Sequence, residues 1–238
     1  MDFLIDSVVE TTPPTPASPP TPVQTLVFFD LETTSLPRAG QRVGITELAL
    51  VAVDRAHFEK QAKPVFRVLN KLTLCIRPEV YLEPMAAQKS GMSEALLGNQ
   101  RLFRDAVPSL RAFLASLPAP VCLLAHNGDY FDFPILRDEL RHAGEGDLGL
   151  PDLQCCDTIK ALRQIVQAAP PPKKKARGAG PYSLDMLYKR FCGRRSNAHQ
   201  AEQDCVDLLK VCHHHRLPFL AYLEANRVPF HAAEPVRR

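Results

Sequence analysis

The first indication of the architecture is the stretch Leu26-Val27-Phe28-Phe29-Asp30-Leu31-Glu32. Its apolar run is typical of a β-strand covered on both faces, because a half-exposed strand would alternate apolar and polar residues. Side chains two positions apart share one face of a strand, so Asp30 and Glu32 are expected to point the same way. Buried carboxylates are costly without a nearby counter-charge, and a hard cation such as Mg²⁺ prefers oxygen ligands. The stretch therefore predicts either a metal-binding pair or two exposed acids at a strand end.

Two further acids and a histidine occupy recognisable local contexts in distant parts of the chain. Asp132 follows the stretch 125–128, and His199 and Asp204 stand five positions apart at the start of the last long helical pattern. Four acids gathered in one place would repel one another strongly, whereas the same acids around divalent cations form a stable site. Four carboxylates with two divalent ions, a water and an imidazole favour hydrolysis of phosphodiesters.

Composition limits the class of protein. The chain has 238 residues, 45% apolar residues and a formal net charge of +3, which favours one soluble domain with a sizeable core. No apolar run is long enough to span a bilayer and the N-terminus lacks a secretory signal, so no membrane attachment is expected. Seven cysteines without a C-x-x-C spacing are expected to be reduced thiols of an intracellular protein, in the nucleus, the cytoplasm or both. The basic run Pro171–Arg177 resembles a nuclear localisation signal, with a phosphate-contacting loop as an equal alternative.

The order of the predicted elements indicates one folded domain behind a tail. Residues 1–23 are rich in proline and are expected to form a disordered tail, and residues 24–238 are expected to form the domain. Apolar patterns predict strands over 25–31, 45–53, 71–77, 121–125 and 153–157. They predict helices over 101–116, 131–142, 158–168, 183–191 and 199–212, followed by a short helical tail. This order indicates an α/β fold with a mixed five-stranded sheet flanked by helices.

Three segments carry a family resemblance. Phe28–Pro37 (FFDLETTSLP) resembles the first motif of the DEDDh exonucleases, His126–Pro134 (HNGDYFDFP) resembles the second, and Ala198–Asp204 (AHQAEQD) resembles the third. Within this DnaQ-like superfamily, the chain is most similar to the three-prime repair exonucleases, the TREX family, over about residues 25–235. Three ordered motifs with matching internal spacing are far more specific than any one of them. The resemblance implies an RNase H-like fold.

The resemblance implies a chemical role for each acid and for the histidine. Asp30, Glu32, Asp132 and Asp204 would hold two Mg²⁺ ions, for which Mn²⁺ can substitute, and His199 would be the general base. The implied activity is removal of nucleotides from DNA 3′ ends with release of nucleoside 5′-monophosphates, in DNA repair or in degradation of stray DNA. Two alternatives stay open. One is an RNA exonuclease of the same superfamily, because sugar choice depends on contacts near the 2′ position, and the other is a non-catalytic nucleic-acid-binding module.

Seven residues, five within the motifs and two outside them, are implied to contact the substrate. They are Thr33, Leu36, Lys89, His126, Asn127, Phe131 and Ser183. Leu36 resembles the residue that wedges at the last bases in this family, and the backbone of Thr33 would approach the 3′ hydroxyl. Lys89 stands where the family tends to carry an aliphatic residue, and binding of a phosphate is its alternative role. Support of the core is an alternative role for His126 and Asn127.

The resemblance also implies partners. The substrate is expected to be single-stranded DNA or a DNA 3′ end, with the basic loop 55–71 touching the nucleic acid. The family is dimeric through edge strands. The strand over 71–77 is the candidate edge, because Leu72, Leu74 and Ile76 alternate with polar or small residues. A homodimer through this strand is therefore expected.

Overall fold

The computed structural model describes residues 21–63, 67–166, 180–195 and 199–233. Residues 1–20 of the predicted tail lie outside this part, as do the basic run Pro171–Arg177 and most of the linker around it. Val23 is fully buried, and its backbone N–H donates to the Glu224 carboxylate at 3.0 Å. The chain is therefore packed against the rest of the fold at Val23.

Six strands of the described residues form one mixed sheet. Strand β1 is Thr25–Thr33, β2 is Ile45–Asp54, β3 is Val68–Cys75, β4 is Val121–Ala125, β5 is Gln154–Asp157 and β6 is Val228–Pro229. Their order across the sheet is β3-β2-β1-β4-β5-β6. The β1–β4 and β4–β5 pairs are parallel, and the other three pairs are antiparallel. The predicted α/β fold with a mixed sheet is confirmed, but the sheet has one strand more than expected, because the two-residue β6 is too short to show a pattern.

Helices cover both faces of the sheet. In the part of the chain that the structure describes, they are α1 Arg55–Lys60, α2 Pro84–Ser90, α3 Glu94–Leu97, α4 Phe103–Ala115, α5 Asp132–His142, α6 Thr158–Ile165, α7 Leu184–Phe191, α8 Ala201–His214 and α9 Arg216–Asn226. Helices α4 to α8 match the predicted helices within a few residues. The expectation of a loop over 55–71 is wrong, because α1 and the start of β3 lie there. None of the described helices is long and apolar enough to cross a membrane.

Alternation along β1 sends its side chains to two different apolar layers. The odd-numbered residues of 27–31 pack in the layer that contains α4 and α5. Leu26 and Phe28 pack in the layer that contains helices α6 to α9. Asp30 and Glu32 continue the row of Leu26 and Phe28, since side chains two positions apart share a face. The sheet therefore aims both carboxylates at the side on which α8 lies.

Candidate active site

The end of β1 presents two carboxylates next to the start of α8. Asp30 and Glu32 are half-buried, and the pairing of β1 with β2 shifts register between Glu32 and Thr33. A β-bulge of this kind bends a strand and redirects its side chains, and bulges are common beside active sites. Glu32 lies opposite Glu47 of β2, whose Oε2 accepts the backbone N–H of Ala201 at 3.0 Å. Glu47 therefore fixes the start of α8 close to the acids of β1.

Helix α8 and the residues before it bring a third carboxylate and the histidine to the same place. Asp204 lies in the first turn of α8 and is 8% exposed. A ligand atom of Glu32, one of His199 and one of Asp204 all lie within 4.8 Å of one another. His199 precedes α8, whereas the predicted helix 199–212 included it, and its φ is +67°. This left-handed conformation is uncommon for residues other than glycine, and such backbone concentrates at functional sites.

The fourth carboxylate comes from the start of α5. Asp132 is the first residue of that helix and is almost completely buried. Its Oδ1 accepts the backbone N–H of Leu31 at 3.2 Å, which ties the segment 126–134 to β1. The charge of Asp132 raises the pKa of Asp30, an acid of β1 in the row that faces α8. The three motif segments therefore meet at one place in the fold.

Burial and crowding make these carboxyl groups weak acids. Burial is the main cause of a raised pKa at Asp30, and the charges of Asp132, Asp204 and Glu32 raise that pKa further. Burial, followed by the charges of Asp204 and Glu47, raises the pKa of Glu32 to about 7. Burial also raises the pKa of Asp132 and of Asp204. A group of acids that resists ionisation in this way gains stability from a bound cation.

Arg195 contacts this acidic cluster directly. Its Nη2 donates to Asp204 Oδ1, its Nη1 donates to Asp185, and its Nε donates to Asp207 Oδ2 at 2.8 Å. Burial lowers the pKa of the Arg195 guanidinium, but the hydrogen bonds to Asp207 and Asp185 raise it more, so that the group stays charged. No sequence pattern indicates this pairing, because Arg195 lies in none of the motifs, in the segment that follows α7.

A cavity of about 300 Å³ opens over the acids. Its walls include Asp30, Glu32, His199 and Asp204 together with four residues predicted to contact substrate, Thr33, Leu36, Lys89 and Phe131. Leu36 is 64% exposed, and Lys89 lies in the last turn of α2, where its charge lowers the pKa of Glu32. The cavity thus combines an acidic floor with apolar and cationic walls, which suits a ligand that has both a base and a phosphate.

His126 is bound within the scaffold and does not line this cavity. One ring nitrogen lies 3.1 Å from Thr158 Oγ1, and the other lies 2.8 Å from the carbonyl oxygen of Tyr182. Burial lowers the pKa of His126 to about 4, so its ring is neutral at physiological pH. These contacts join the end of β4 to the residues before α7. The described contacts of His126 therefore match its alternative role in supporting the core.

Asn127 and Ser183 also lie outside the cavity wall. Asn127 adopts a φ of +67°, and its backbone N–H donates to Asp157 Oδ1 at 3.0 Å. Ser183 precedes α7, and its Oγ accepts the backbone N–H of Met186 at 3.4 Å as an N-cap. A role for either residue in substrate binding stays a prediction.

Comparison with known proteins agrees with this geometry. Residues 27–212 match the family RNase_T, described as Exonuclease. The chain is 39% identical over 236 residues to three-prime repair exonuclease 1 of Bos taurus, which covers 92% of this chain and 72% of the relative. It is 39% identical over 224 residues to three prime repair exonuclease 2 of Homo sapiens, which covers 90% of this chain and 92% of the relative. The chain belongs to the three-prime repair exonuclease family.

Membership of the three-prime repair exonuclease family confirms the predicted enzyme class, a 3′-to-5′ exonuclease. The fold is also shared with more distant enzymes. The zinc-bound complex of Escherichia coli exonuclease I with single-stranded DNA superimposes with a TM-score of 0.63, at 20% identity, over 84% of this chain and 43% of that chain. This likeness concerns the fold alone, and it agrees with the predicted RNase H-like architecture.

The donor set of this three-prime repair exonuclease family member fits a hard divalent cation. Ligand atoms of Glu32, His199 and Asp204 are close enough to share one ion, and Asp30 and Asp132 adjoin them. Mg²⁺ and Mn²⁺ are bound mainly by carboxylate oxygens, which these residues supply. The raised pKa values of Asp30 and Asp132 reflect a cost of gathering acids that a cation offsets.

Proposed function

We propose that the chain is a metal-dependent exonuclease that hydrolyses DNA from the 3′ end and releases nucleoside 5′-monophosphates. The proposal is supported by the convergence of Glu32, His199 and Asp204 within 4.8 Å, in the cavity that Asp30 also lines and beside Asp132. In this proposal, the four acids hold two Mg²⁺ or Mn²⁺ ions, and His199 is the general base.

In this proposal, the bound ions and the side chains have separate roles in hydrolysis. Bound divalent ions would make the attacking water more acidic and stabilise the charge that develops on the phosphate and the leaving oxygen. His199 accepts the proton that the water loses while its oxygen attacks phosphorus. The bond from phosphorus to the 3′ oxygen of the preceding nucleotide breaks, and that oxygen takes a proton from solvent to become the new 3′ hydroxyl. The terminal nucleotide leaves as a 5′-monophosphate. His199 is exposed at the cavity wall, from which it can pass the proton to solvent.

The cavity walls suggest how the terminal nucleotide is held. Leu36 and Phe131 supply apolar surface for the base. The hydroxyl of Thr33 donates to the carbonyl oxygen of Ser35 at 2.9 Å, so the side chain of Thr33 is engaged within the loop, and its backbone is the part proposed to approach the sugar. Lys89 supplies a cation for a phosphate oxygen, as backbone-contacting lysines do in other nucleic-acid complexes.

One assay separates this proposal from its two alternatives. Oligonucleotides of DNA and of RNA, labelled at the 5′ end, are incubated with the protein in Mg²⁺ and in chelator. We expect a stepwise ladder of shortened products on DNA that disappears in chelator. A ladder on RNA alone would support an RNA exonuclease, and tight binding without products in any metal would support a non-catalytic module.

Substitutions in the same assay test the assigned roles. Asp204→Asn removes one proposed ligand charge with little change of shape, and we expect it to lose most turnover while the fold is kept. His199→Ala is expected to lose less at high pH, where hydroxide partly replaces the base. Asp152→Asn is the matched control, because Asp152 is an exposed acid outside the cavity wall. An Asp204→Asn variant as active as the parent would refute the assignment of Asp204.

We further propose that two copies of the chain form a homodimer through strand β3. This strand is at one edge of the described sheet, and Leu69 on it is 40% exposed. Edge strands carry unpaired backbone groups that favour pairing with a second copy. Sedimentation at micromolar concentration is expected to give the mass of a dimer, and a monomer mass would refute this proposal.

Placement of the enzyme inside the cell, in the nucleus, the cytoplasm or both, is likewise a proposal. It is supported by the seven cysteines, which all lie in the described part of the chain and form no disulfide there. Its tasks are proposed to be DNA repair or degradation of stray DNA. Imaging of a fluorescent fusion, with and without substitution of the lysines in 171–177, tests the location. Secretion of the fusion would contradict the proposal.

A further inference from the structure

Arg195 is held between three carboxylates, two of which lie outside the proposed ligand set. Its Nε donates to Asp207 at 2.8 Å and its Nη1 donates to Asp185, while Nη2 donates to Oδ1 of the proposed ligand Asp204. The side chain of Arg195 is 9% exposed, and that of Asp207 is 1% exposed. The guanidinium is therefore a fixed charge within the fold.

The two outer carboxylates fix where that charge sits. Asp207 follows Asp204 by three positions on α8, and its Oδ1 accepts a hydrogen bond from Gln203 Nε2 at 2.8 Å. Asp185 lies in the first turn of α7, so Arg195 bridges α7 and α8. A planar guanidinium suits this arrangement, because its donors point in fixed directions toward several carboxylates. The hydrogen bonds to Asp207 and Asp185 therefore fix Arg195 in its contact with Asp204.

We propose that Arg195 is a positioning residue that shares Asp204 with the metal centre, holding that carboxylate through Oδ1 and lowering the affinity of the site for divalent cations. This inference rests on the proposed function, because it takes Asp204 to be a metal ligand. It goes beyond that function because it makes the affinity for divalent cations depend on a residue outside the three motifs.

Two effects of Arg195 on ion binding oppose each other, and their sizes decide the sign. The hydrogen bond from Arg195 orients Asp204 and thereby favours ion binding, by at most the free energy of one hydrogen bond. Repulsion between the guanidinium and a doubly charged ion on the same carboxylate disfavours binding, and charges at ion-pair range in a partly buried site interact more strongly than one hydrogen bond. Repulsion therefore dominates, and removal of the charge should tighten ion binding.

Calorimetric titration with Mn²⁺ tests this sign directly. We expect Arg195→Gln to bind Mn²⁺ at least five-fold more tightly than the wild-type protein, and to reach half-maximal nuclease activity at a lower Mg²⁺ concentration. Arg195→Lys retains the charge without the planar donor geometry, and its Mn²⁺ affinity should stay within two-fold of wild type. Arg111→Gln is the matched control, because Arg111 also binds a carboxylate and a carbonyl oxygen but lies on α4. Its Mn²⁺ affinity should not change.

The outcomes keep the inference separate from the proposed function. If wild-type protein binds Mn²⁺ and cleaves DNA but Arg195→Gln binds the ion equally or more weakly, the inference is wrong and the function stands. If wild-type protein binds no Mn²⁺, both are wrong. Should Arg195→Gln fail to fold, the wild-type protein supplies the test through its arginine Nε–H nuclear magnetic resonance signals. The Arg195 signal is identified as the one that is missing from the spectrum of Arg195→Lys. In the wild-type spectrum this signal should shift on addition of Mg²⁺, and a signal that does not move would overturn the inference.

Discussion

Glu32 shows how single residues of the site link proton binding to stability. Its pKa in the folded protein, about 7, lies above its ordinary value of 4.5, first because of burial and then because of Asp204 and Glu47. Between these values the folded protein holds a proton that the unfolded chain has released, so stability falls as pH rises from 4.5 to about 7. His126 acts in the opposite sense, because its pKa is lowered from 6.5 to about 4, and stability from this group rises with pH across that window.

Substitution Glu32→Gln separates these opposed contributions, because glutamine keeps the shape of the side chain and does not titrate. In chelator at pH 8, we expect the variant to melt about 2–4 °C above wild type, the shift that about 1 kcal/mol gives a protein of this size. Glu32 is only half-buried, and solvent screens part of its interactions, so the expected effect is smaller than the full value that its pKa shift implies. At pH 5 the two proteins should melt nearly together, since Glu32 is then protonated in the fold.

Thermal melts followed by circular dichroism at both pH values provide the measurement. Glu59→Gln is the control, because Glu59 is an acid of α1 with a 41% exposed side chain, away from the cavity. Its melting temperature should change by less than about 1 °C at either pH, as is usual for surface substitutions. A Glu32→Gln variant that melts at or below the wild-type temperature at pH 8 would show that Glu32 is not destabilised by its surroundings.

The residues that could be predicted are those whose type and local spacing carry the information. Asp30 and Glu32 follow an apolar strand, and this context alone indicates their common direction. Glu47 could not be predicted, because its contact with Ala201 joins segments 154 positions apart. Arg195 precedes Asp204 by only nine positions, but it lies in none of the motifs, so no pattern indicates their contact. The left-handed backbone at His199 was also missed, since a helical pattern does not show where the first turn begins.

At the scale of elements, length determines what a sequence pattern reveals. Helices α4 to α8 contain enough residues for an apolar face to recur, which is why periodicity predicts them. Helices α1 to α3 have seven residues or fewer, and residues at their ends mark where they begin and stop. Asp54 caps α1 and Ser93 caps α3, while α2 begins at Pro84 and is followed by Gly91 with a φ of +73°. These signals are local side-chain contacts rather than a period, so the apolar pattern does not show them.

The start of α7 tests whether Ser183 serves the fold or the substrate. Ser183 Oγ accepts the Met186 N–H at 3.4 Å, a long hydrogen bond, so loss of this cap in Ser183→Ala should cost about 0.5–1 kcal/mol. We expect a fall of about 2 °C in the melting temperature and a KM for DNA within two-fold of wild type. Ser183→Asn should restore the melting temperature, because asparagine caps helices as well as serine does. A KM that rises several-fold with an unchanged melting temperature would instead indicate contact with the substrate.

At the scale of the whole molecule, the order of strands explains where the site forms. Strands β1 and β4 are adjacent and parallel, so their carboxyl ends lie at the same edge of the sheet. The first motif closes β1 and the second begins directly after β4, which brings Asp30 and Asp132 together at that edge. Ligands commonly bind outside the carboxyl ends of strands in open α/β sheets. The pairing of β6 with β5 could not be predicted, because it joins a two-residue strand near residue 228 to a strand near residue 154.

Ion binding should therefore be coupled to the stability of the entire domain, since the four acids come from β1, α5 and α8. At pH 8, Mg²⁺ at 100 times its dissociation constant should stabilise the fold by about 2.7 kcal/mol over protein in chelator. For a chain of this size, that is a rise of roughly 5–10 °C in the melting temperature. The gain should shrink at pH 5, because protons then compete with Mg²⁺ for carboxyl groups whose pKa values are raised.

Differential scanning calorimetry of wild type, Asp204→Asn and Asp152→Asn checks this coupling. Asp204→Asn should lose most of the gain from Mg²⁺, because an amide is a weaker ligand than a carboxylate and carries no charge to offset the ion. Asp152→Asn should keep the full gain, since it changes an exposed acid that does not line the cavity. If Mg²⁺ raised the melting temperature equally in all three proteins, the bound ions would lie elsewhere on the surface. Only ions bound at Asp204 would make Asp204→Asn differ from Asp152→Asn.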